Sequence, residues 1–224
     1  MNALTPSPLW NQLLALGRTA PHRLTQKQFF TPSDYGRGRI DIQPHFADTA
    51  ARRVPEQIRA NAGMPLRALW QPISPSLAGQ GHLLAQSLAC CPFSGTPHLL
   101  LLDRTGAAVA GYIEGDAWVP EDLRGRGLGA ELFLAHAVLH GKGRLGGYCY
   151  SPAGYAAATA AHRLAVTTAL IHQVAVPDGV MEAYPGLREQ IRQALDQTGP
   201  AMAEAGGPDD DTDGSADADD GPMP

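Results

Sequence analysis

Residues 119–132 read Val-Pro-Glu-Asp-Leu-Arg-Gly-Arg-Gly-Leu-Gly-Ala-Glu-Leu, which joins an apolar strand end, a glycine-rich turn and a helix start. Glycine at every second position from 125 to 129 lets the backbone turn sharply and approach a ligand without an intervening Cβ. The free N–H groups at the start of the following helix would point into this turn, with the positive end of the helix dipole behind them. Arg124 and Arg126 add positive charge beside it. The stretch therefore predicts a turn that binds phosphate, with a pyrophosphate as its natural ligand.

The spacing of the glycines argues against two common phosphate loops. A Walker loop needs Gly-Lys-Ser/Thr, and no lysine follows the first glycine here. A dinucleotide fingerprint needs G-x-G-x-x-G and an acidic residue about twenty positions later. This turn reads G-x-G-x-G instead, and residues 140–150 contain no Asp or Glu. A tight structural turn that binds nothing is the alternative for so short a motif.

The pattern Arg124-x-x-Gly127-x-Gly129, preceded by a strand and followed by an apolar helix, resembles the R/Q-x-x-G-x-G/A signature of the GCN5-related N-acetyltransferases (GNAT). The resemblance covers residues 98–140 and implies acetyl-coenzyme A (acetyl-CoA) as the co-substrate. In that family the loop amides hold the coenzyme pyrophosphate, and the preceding strand offers backbone groups to the pantetheine arm. Carried over by position, the coenzyme-binding residues are Val119, Arg124, Gly125, Arg126, Gly127, Leu128, Gly129 and Ala130.

The resemblance also implies a general base. In the family, a Glu on the strand before the glycine loop often takes the proton from the attacking amine, directly or through water. Glu114 is the first candidate, and Asp116 projects from the same face of the strand at a spacing of two. The alternative for Glu114 is an exposed strand carboxylate without a chemical role.

The family's usual general acid is a Tyr in the helix after the next strand, within an N-x-x-A-x-x-x-Y pattern. This chain has Ser151 at the Asn position and Ala158 at the Tyr position. Tyr155 is therefore the candidate acid, with Tyr150 as a substitute, and a packing role is the alternative for each. The implied reaction is direct attack of a primary amine on the thioester, with Glu114 and Tyr155 as catalytic residues.

A second resemblance lies in the C-terminal part of the chain. The residues that carry it are Ser-Pro-Ala-Gly-Tyr at 151–155, Ala-His-Arg-Leu-Ala-Val at 161–166, Val-Pro at 176–177 and Tyr-Pro-x-Leu at 184–187. Together they resemble small helical modules in polyvalent proteins of phages and conjugative plasmids. The resemblance implies a mobile-element origin and says nothing about chemistry.

Hydrophobic periodicity predicts most of the secondary structure. The apolar run 98–102 predicts a buried central strand, and a turn at 103–106 separates it from a second strand. Leu83, Leu84, Leu88 and Cys91 have helical spacing. The other predicted elements are helices at 9–16, from 48 or 49, from Pro55 to Asn61, from 129, at 155–171 and at 187–195, and strands at 37–42, 107–113, 117–119 and 148–150.

A chain of 224 residues fits one domain with appendages. The predicted fold class is α/β (α+β), a GNAT-like mixed central sheet flanked by helices. The predicted divisions are an irregular N-terminal extension (1–46), an acetyl-CoA-binding core (47–150), a helical C-terminal module (151–197) and a disordered acidic tail (198–224).

The formal net charge of −5 is unevenly distributed. Of the 22 acidic residues, eight follow residue 203, where no Lys or Arg stands, so the rest of the chain has a small positive excess. This excess suits a polyanionic coenzyme and is too small to indicate nucleic acid by itself. The tail is either a solvated extension or an interaction tail for a protein partner, and a homodimer is left open.

The three cysteines, Cys90, Cys91 and Cys149, lack zinc or C-x-x-C spacing and indicate a reducing compartment. His136 and His140 have the spacing of two helical metal ligands, but Ala137 replaces the Glu of the zinc-protease pattern, so no metal is expected. No stretch approaches the length of a membrane span and no signal peptide is evident, which favours a cytoplasmic protein without a membrane partner.

Two function classes remain from the sequence. The first is an N-acyltransferase that acetylates a primary amine, on a small molecule or a protein whose identity the residues do not specify. The second is a non-catalytic accessory protein of a phage or plasmid, which keeps the GNAT-like scaffold to bind protein or nucleic acid. The glycine turn favours the enzyme, and the departures from the family's acid and base positions favour the accessory protein.

Overall fold

The architecture comes from a computed structural model that describes residues 7–31, 40–60, 70–77, 81–90, 97–146 and 149–198. Its helices are α1 (Pro8–Ala15), α2 (Gln26–Phe30), α3 (Phe46–Ala60), α4 (Leu128–Leu139), α5 (Pro152–Ile171), α6 (Asp178–Met181) and α7 (Leu187–Thr198). Its strands are β1 (Asp41–Ile42), β2 (Trp70–Pro75), β3 (Leu83–Cys90), β4 (Pro97–Leu102), β5 (Ala108–Ile113), β6 (Asp116–Trp118) and β7 (Cys149–Tyr150).

The central sheet has five strands in the order β2-β3-β4-β5-β6, each antiparallel to its neighbours. The predicted central strand is confirmed, because β4 lies in the middle and the leucines at 99–102 are buried on both faces of the sheet. Leu99 and Leu101 contribute to one hydrophobic cluster, and Leu100 and Leu102 to a second one on the opposite face. An uninterrupted apolar run is what a strand covered on both faces requires.

Helices cover both faces of the sheet. On one face α3 packs through Val54 against Leu100 and Ile113, where Gly111 leaves room for the helix. On the other face lies α4, with nine of its twelve residues buried, and α5 packs in turn against α4. This position explains the composition of α4, because a helix between a sheet and another helix is apolar nearly all round.

The α+β class is confirmed, while the five-stranded sheet differs from the expected mixed sheet in being wholly antiparallel. Tight turns after β4 and β5 account for this, since a short connection can only join antiparallel neighbours. A parallel pairing occurs separately, where Asp41 and Ile42 of β1 register with Cys149 and Tyr150 of β7.

Two predicted helices are wrong in type or extent. Residues 83–90 form β3, whose Leu84 and Ala85 face opposite sides of the sheet, so the apolar positions there lack a strand's usual alternation. Residues 46–60 form one helix with Pro55 inside it, although a proline there removes a hydrogen bond of the helix.

The N-terminal and C-terminal segments share the main hydrophobic cluster with the sheet. The predicted helix at 9–16 is confirmed as α1, and its Leu9, Trp10 and Leu13 are buried in this cluster together with Ala165 of α5 and Leu187 of α7. Predictions for residues 1–6, 32–39, 61, 91, 148 and 199–224, the acidic tail among them, lie outside the described residues.

Candidate functional site

The glycine turn lies between β6 and α4, as expected. A short 3₁₀ turn at Glu121–Leu123 follows the strand, and Gly125 and Gly127 both have left-handed backbone, with φ of +78° and +83°. Only glycine adopts this region without strain, which explains its use at these two positions. Gly127 is the residue that caps α4, and no side chain caps this helix end among the described residues. The first N–H groups of α4, on Leu128, Gly129 and Ala130, have no acceptor within the helix itself.

Gly129 is a point of close approach between three elements. A Cβ on Gly129 would lie 3.3 Å from the Cβ of Ala157 in α5 and 3.8 Å from Cγ2 of Val119 after β6. The absent side chain thus lets the start of α4 sit against both neighbours, which fixes the turn relative to α5.

The two arginines of the turn differ in their contacts. Arg124 donates from Nε to the carbonyl of Val119 at 3.3 Å, and this hydrogen bond connects the two ends of the segment between β6 and the first glycine. That carbonyl is one of the groups that the family resemblance assigns to the pantetheine arm. Arg126 is exposed beside Gly127, where its guanidinium adds to the positive end of α4.

Glu131, in the first turn of α4, has a role that its position in the sequence does not reveal. It is fully buried, and its carboxylate accepts hydrogen bonds from the hydroxyl of Ser76 and, at 2.9 Å, from the backbone N–H of Leu77. The helix dipole favours a negative charge at this position in the first turn. The carboxylate also ties the start of α4 to the end of β2, a contact between residues 54 positions apart.

The candidate base Glu114 lies in the hairpin turn between β5 and β6 rather than in a strand. Glu114 and Gly115 have φ of +52° and +93°, which is the pattern of a two-residue hairpin turn. Nη1 of Arg53, on α3, lies 3.4 Å from Oε2 of Glu114 and 3.1 Å from Oδ2 of Asp116. The two carboxylates therefore share an arginine that local spacing does not identify, although they do not lie on one strand.

Burial sets the ionisation of this acidic end of the sheet. It raises the pKa of Asp116, and Arg53 opposes the rise, while the neighbouring Glu114 adds to it. His98, at the start of β4, has its pKa lowered by burial, with Glu114 acting in the opposite direction. A neutral imidazole and a carboxylate with a raised pKa are both able to accept a proton from an ammonium group.

The candidate acid Tyr155 lies in the first turn of α5, which the side chain of Ser151 caps through the N–H of Gly154. Its ring centre is 5.2 Å from that of Phe30 and 6.1 Å from that of Tyr150. Burial raises the pKa of Tyr150, the substitute candidate. No hydrogen bond, ion pair or ring contact joins Tyr155 to Glu114 in the described part of the chain, so the structure does not bring the two candidates together directly.

His136 and His140 lie four residues apart on α4, and each is partly buried. The ring of Tyr112 stacks on His136 at 4.4 Å, and the two histidine rings are 5.8 Å apart. Burial lowers the pKa of His136 to about 4, with a smaller contribution from His140. Within the ranges that the structure describes, no three His, Cys, Asp or Glu side chains are arranged to hold a metal ion.

Set against family models, curated proteins and solved structures, the chain has no match. None of the described helices combines the length and the apolar character that a bilayer crossing requires. The functional assignment therefore depends on the chemistry of the glycine turn and of the groups around β6.

Proposed function

We propose that the protein is an N-acyltransferase that transfers an acetyl group from acetyl-CoA to a primary amine. The observation that carries the proposal is the turn before α4, where two left-handed glycines lead into a helix whose N-cap residue, Gly127, has no side chain to cap the first N–H groups. Such a helix start is suited to an anionic ligand, because both the free N–H groups and the helix dipole attract negative charge.

The turn would hold the pyrophosphate of the coenzyme. The N–H groups of Leu128, Gly129 and Ala130 would donate to the phosphate oxygens, and Arg126 would add a charge-assisted contact. Gly127 and Gly129 keep side chains away from this position, and the packing of Gly129 on Ala157 keeps the turn in place. Val119, directly after β6, would lie beside the pantetheine arm, with its carbonyl released from Arg124.

The chemistry needs the amine to lose a proton and the thiolate to gain one. The amine nitrogen attacks the carbonyl carbon of the thioester, the carbon–sulfur bond breaks, and the proton of the ammonium passes to a base. Glu114, which together with Asp116 forms ion pairs with Arg53, would act as that base. Tyr155 would donate a proton to the leaving sulfur, and the neighbouring Tyr150 is the substitute donor.

Calorimetric titration with acetyl-CoA tests the coenzyme site. We expect wild-type protein to bind with micromolar affinity, and the Gly127→Glu variant to lose binding, because its carboxylate would repel the pyrophosphate. Gly17→Glu is the matched control, since Gly17 also has a positive φ, of +57°, and a Cβ added there would meet no atom of the described residues within 4 Å. Absence of binding by the wild-type protein would refute the proposal, as would equal loss in both variants.

A second candidate function is a non-catalytic binding protein of a mobile element that keeps this scaffold. The observation that favours it is the ion pair of Glu114 with Arg53, together with the lack of a contact between Glu114 and Tyr155 in the described part of the chain. Amine-dependent release of the coenzyme thiol, assayed over small polyamines and lysine-containing peptides, separates the two candidates. Binding of acetyl-CoA without such release, and recovery of a protein or nucleic acid on the immobilised chain, would favour the binding protein.

A further inference from the structure

His162 on α5 connects three separate segments of the chain. Its side chain is fully buried, its Nε2 lies 2.8 Å from the carbonyl oxygen of Leu24, and its Nδ1 lies 2.6 Å from the hydroxyl of Tyr184. Leu24 follows the 3₁₀ turn Pro21–Arg23, and Tyr184 follows α6. One imidazole therefore joins the N-terminal segment and the C-terminal segment to α5.

The partners determine the protonation of this ring. A carbonyl oxygen only accepts, so Nε2 of His162 must carry the hydrogen. In the neutral ring Nδ1 is then an acceptor, and the hydroxyl of Tyr184 donates to it. The two rings also stack, with centres 5.6 Å apart, and Phe29 lies 5.1 Å from the imidazole. With the hydroxyl of Tyr184 donating, the arrangement holds the neutral ring, and a protonated ring requires this hydroxyl to turn and accept instead.

We propose that His162, Tyr184 and the carbonyl of Leu24 form an acid-sensitive clasp, which releases the C-terminal segment from α5 when the imidazole is protonated. A hydrogen on Nδ1 would face the hydroxyl hydrogen of Tyr184, so the hydrogen bond must break or reverse. The added charge would also lie in an apolar site, where an unpaired cation is costly. His162 and Tyr184 belong to the C-terminal motif that the coenzyme site leaves unexplained.

The ionisable groups around the clasp do not offset an added positive charge. On the N-terminal side these groups are His22 and Arg23. Arg23 and His162 each interact electrostatically with His22 and lower its pKa. On α5, Arg163 interacts with Tyr184. Burial lowers the pKa of His162, against an opposing effect of the Leu24 and Pro21 carbonyls, and it lowers the pKa of His22 to about 4. Nδ1 of His22 is buried with no hydrogen-bond partner in the described structure, so the ring of His22 is neutral, and Arg23 is the positive charge on this side.

The released segment has contacts that hold it together on its own. Arg188 donates from Nη2 to the carbonyl of Val176 at 2.7 Å and from Nη1 to Asp178 at 3.1 Å. These bonds join the residues before α6 to the start of α7. We therefore expect residues 176–188 to separate from α5 as a unit.

The direction of the pH effect follows from the lowered pKa of His162. A histidine in the released state would titrate near 6.5, above its value in the clasp. Acid therefore favours release as the pH falls below 6.5, and the effect levels off below the pKa of the clasped ring. Between pH 7.5 and 5.5 the equilibrium for release should increase, with about tenfold as the upper limit set by the free histidine.

Hydrogen exchange of the full chain, read by mass spectrometry at pH 7.5 and 5.5 and corrected for intrinsic rates, tests the clasp. We expect peptides that cover 176–188 to lose protection at pH 5.5, by up to about tenfold, while peptides of β4 and β5 do not. His162→Gln should abolish this response, because the Gln amide can donate to Leu24 and accept from Tyr184 but cannot titrate. The control His172→Gln changes a histidine that stacks on Trp10 instead, and it should keep the response.

Three results would overturn the clasp. These are equal pH responses in wild type and His162→Gln, loss of protection by the whole chain together, and no loss in 176–188. A measurement on the wild-type protein alone gives a second test if the variant does not fold. In an NMR titration the His162 ring should have a pKa below 6.5, and a value at or above 6.5 would contradict the proposal.

Discussion

At the scale of single residues, the most consequential group is the carboxylate of Glu131, which holds α4 to the end of β2. Buried charged hydrogen bonds are costly to break, because the donor that remains has no replacement partner. Glu131→Ala leaves the N–H of Leu77 without its acceptor, and we expect the free energy of unfolding to fall by about 2–4 kcal/mol.

Urea denaturation of the Glu131→Ala variant measures this loss. Glu131→Gln should lower the free energy of unfolding by less, because the amide oxygen can still accept a hydrogen bond from the N–H of Leu77. Glu121→Ala, at an exposed residue of the turn before α4, is the control and should change stability by no more than about 0.5 kcal/mol. Equal stability of all variants would show that the buried contact contributes little.

A second prediction at this scale concerns the ion pair of Arg53. The Arg53→Met variant lacks the guanidinium that lowers the pKa of Asp116, so we expect that pKa to rise further above its usual value. A carboxyl group with a raised pKa contributes stability that is lost as the pH rises through that pKa. The variant should therefore become less stable relative to wild type as the pH rises from about 3.5 towards 7.

An NMR titration of the Asp116 side chain, with Arg52→Met as an exposed neighbouring control, checks the shift. An unchanged pKa of Asp116 in Arg53→Met would mean that the 3.1 Å contact is electrostatically unimportant.

These residues also show what local sequence can and cannot reveal. Glu114 and Asp116 are recognisable as a pair from their spacing, whereas Arg53 lies far earlier in the chain and has no local pattern that points to the pair. Glu131 is recognisable as a first-turn carboxylate, but its partners at 76 and 77 follow from the packing of α4 on the sheet. Tertiary contacts of this kind become visible only when the fold is known.

At the scale of elements, the crossing of α4 and α5 depends on a missing side chain. A Cβ at 129 would be 3.3 Å from that of Ala157, so Gly129→Ala has a helix-propensity gain and a packing cost of similar size, each about 1 kcal/mol. We expect the same substitution to be clearly stabilising when Ala157→Gly has made room for it. A double-mutant cycle by urea denaturation should give a coupling of about 1 kcal/mol, and zero coupling would refute the close contact.

The element scale is also where sequence patterns succeed and fail for identifiable reasons. Strong local signals identify β4 from its four leucines, α5 from its cap at Ser151, and the glycine turn from its spacing. The helix prediction for β3 is wrong because Leu84 and Ala85 are both buried, on opposite faces, which hides the period of a strand. The family resemblance predicts a mixed sheet. The strands instead follow one another along the chain through hairpin connections, which make every pair antiparallel.

At the scale of the whole molecule, buried histidines make stability depend on pH. Burial lowers the pKa of both His22 and His136 from 6.5 to about 4, so each is neutral in the folded protein and takes up a proton on unfolding in acid. The stability that they contribute is complete above about 6.5 and is lost as the pH falls towards about 4. We expect each histidine to lower the free energy of unfolding by about 2 kcal/mol when the pH falls from about 7.5 to 5.0.

The midpoint of urea unfolding at these two pH values checks this expectation. His136→Phe, which keeps a ring against Tyr112, should reduce the pH dependence, whereas a substitution of the exposed His45 should leave it unchanged. If the midpoint of urea unfolding of the wild-type protein is the same at both pH values, the lowered pKa values are contradicted.

The order of the strands has a consequence for how the chain comes to be folded. Each strand from β2 to β6 pairs with its neighbour along the chain, so the whole sheet needs only short loops to close. On a ribosome this meander could assemble while the residues that will bind Leu24 and Asp41 are still unsynthesised, because those partners are at 162 and 149. The N-terminal segment, made first, would then be among the last to find its place, and until then its apolar helix α1 would be available to chaperones.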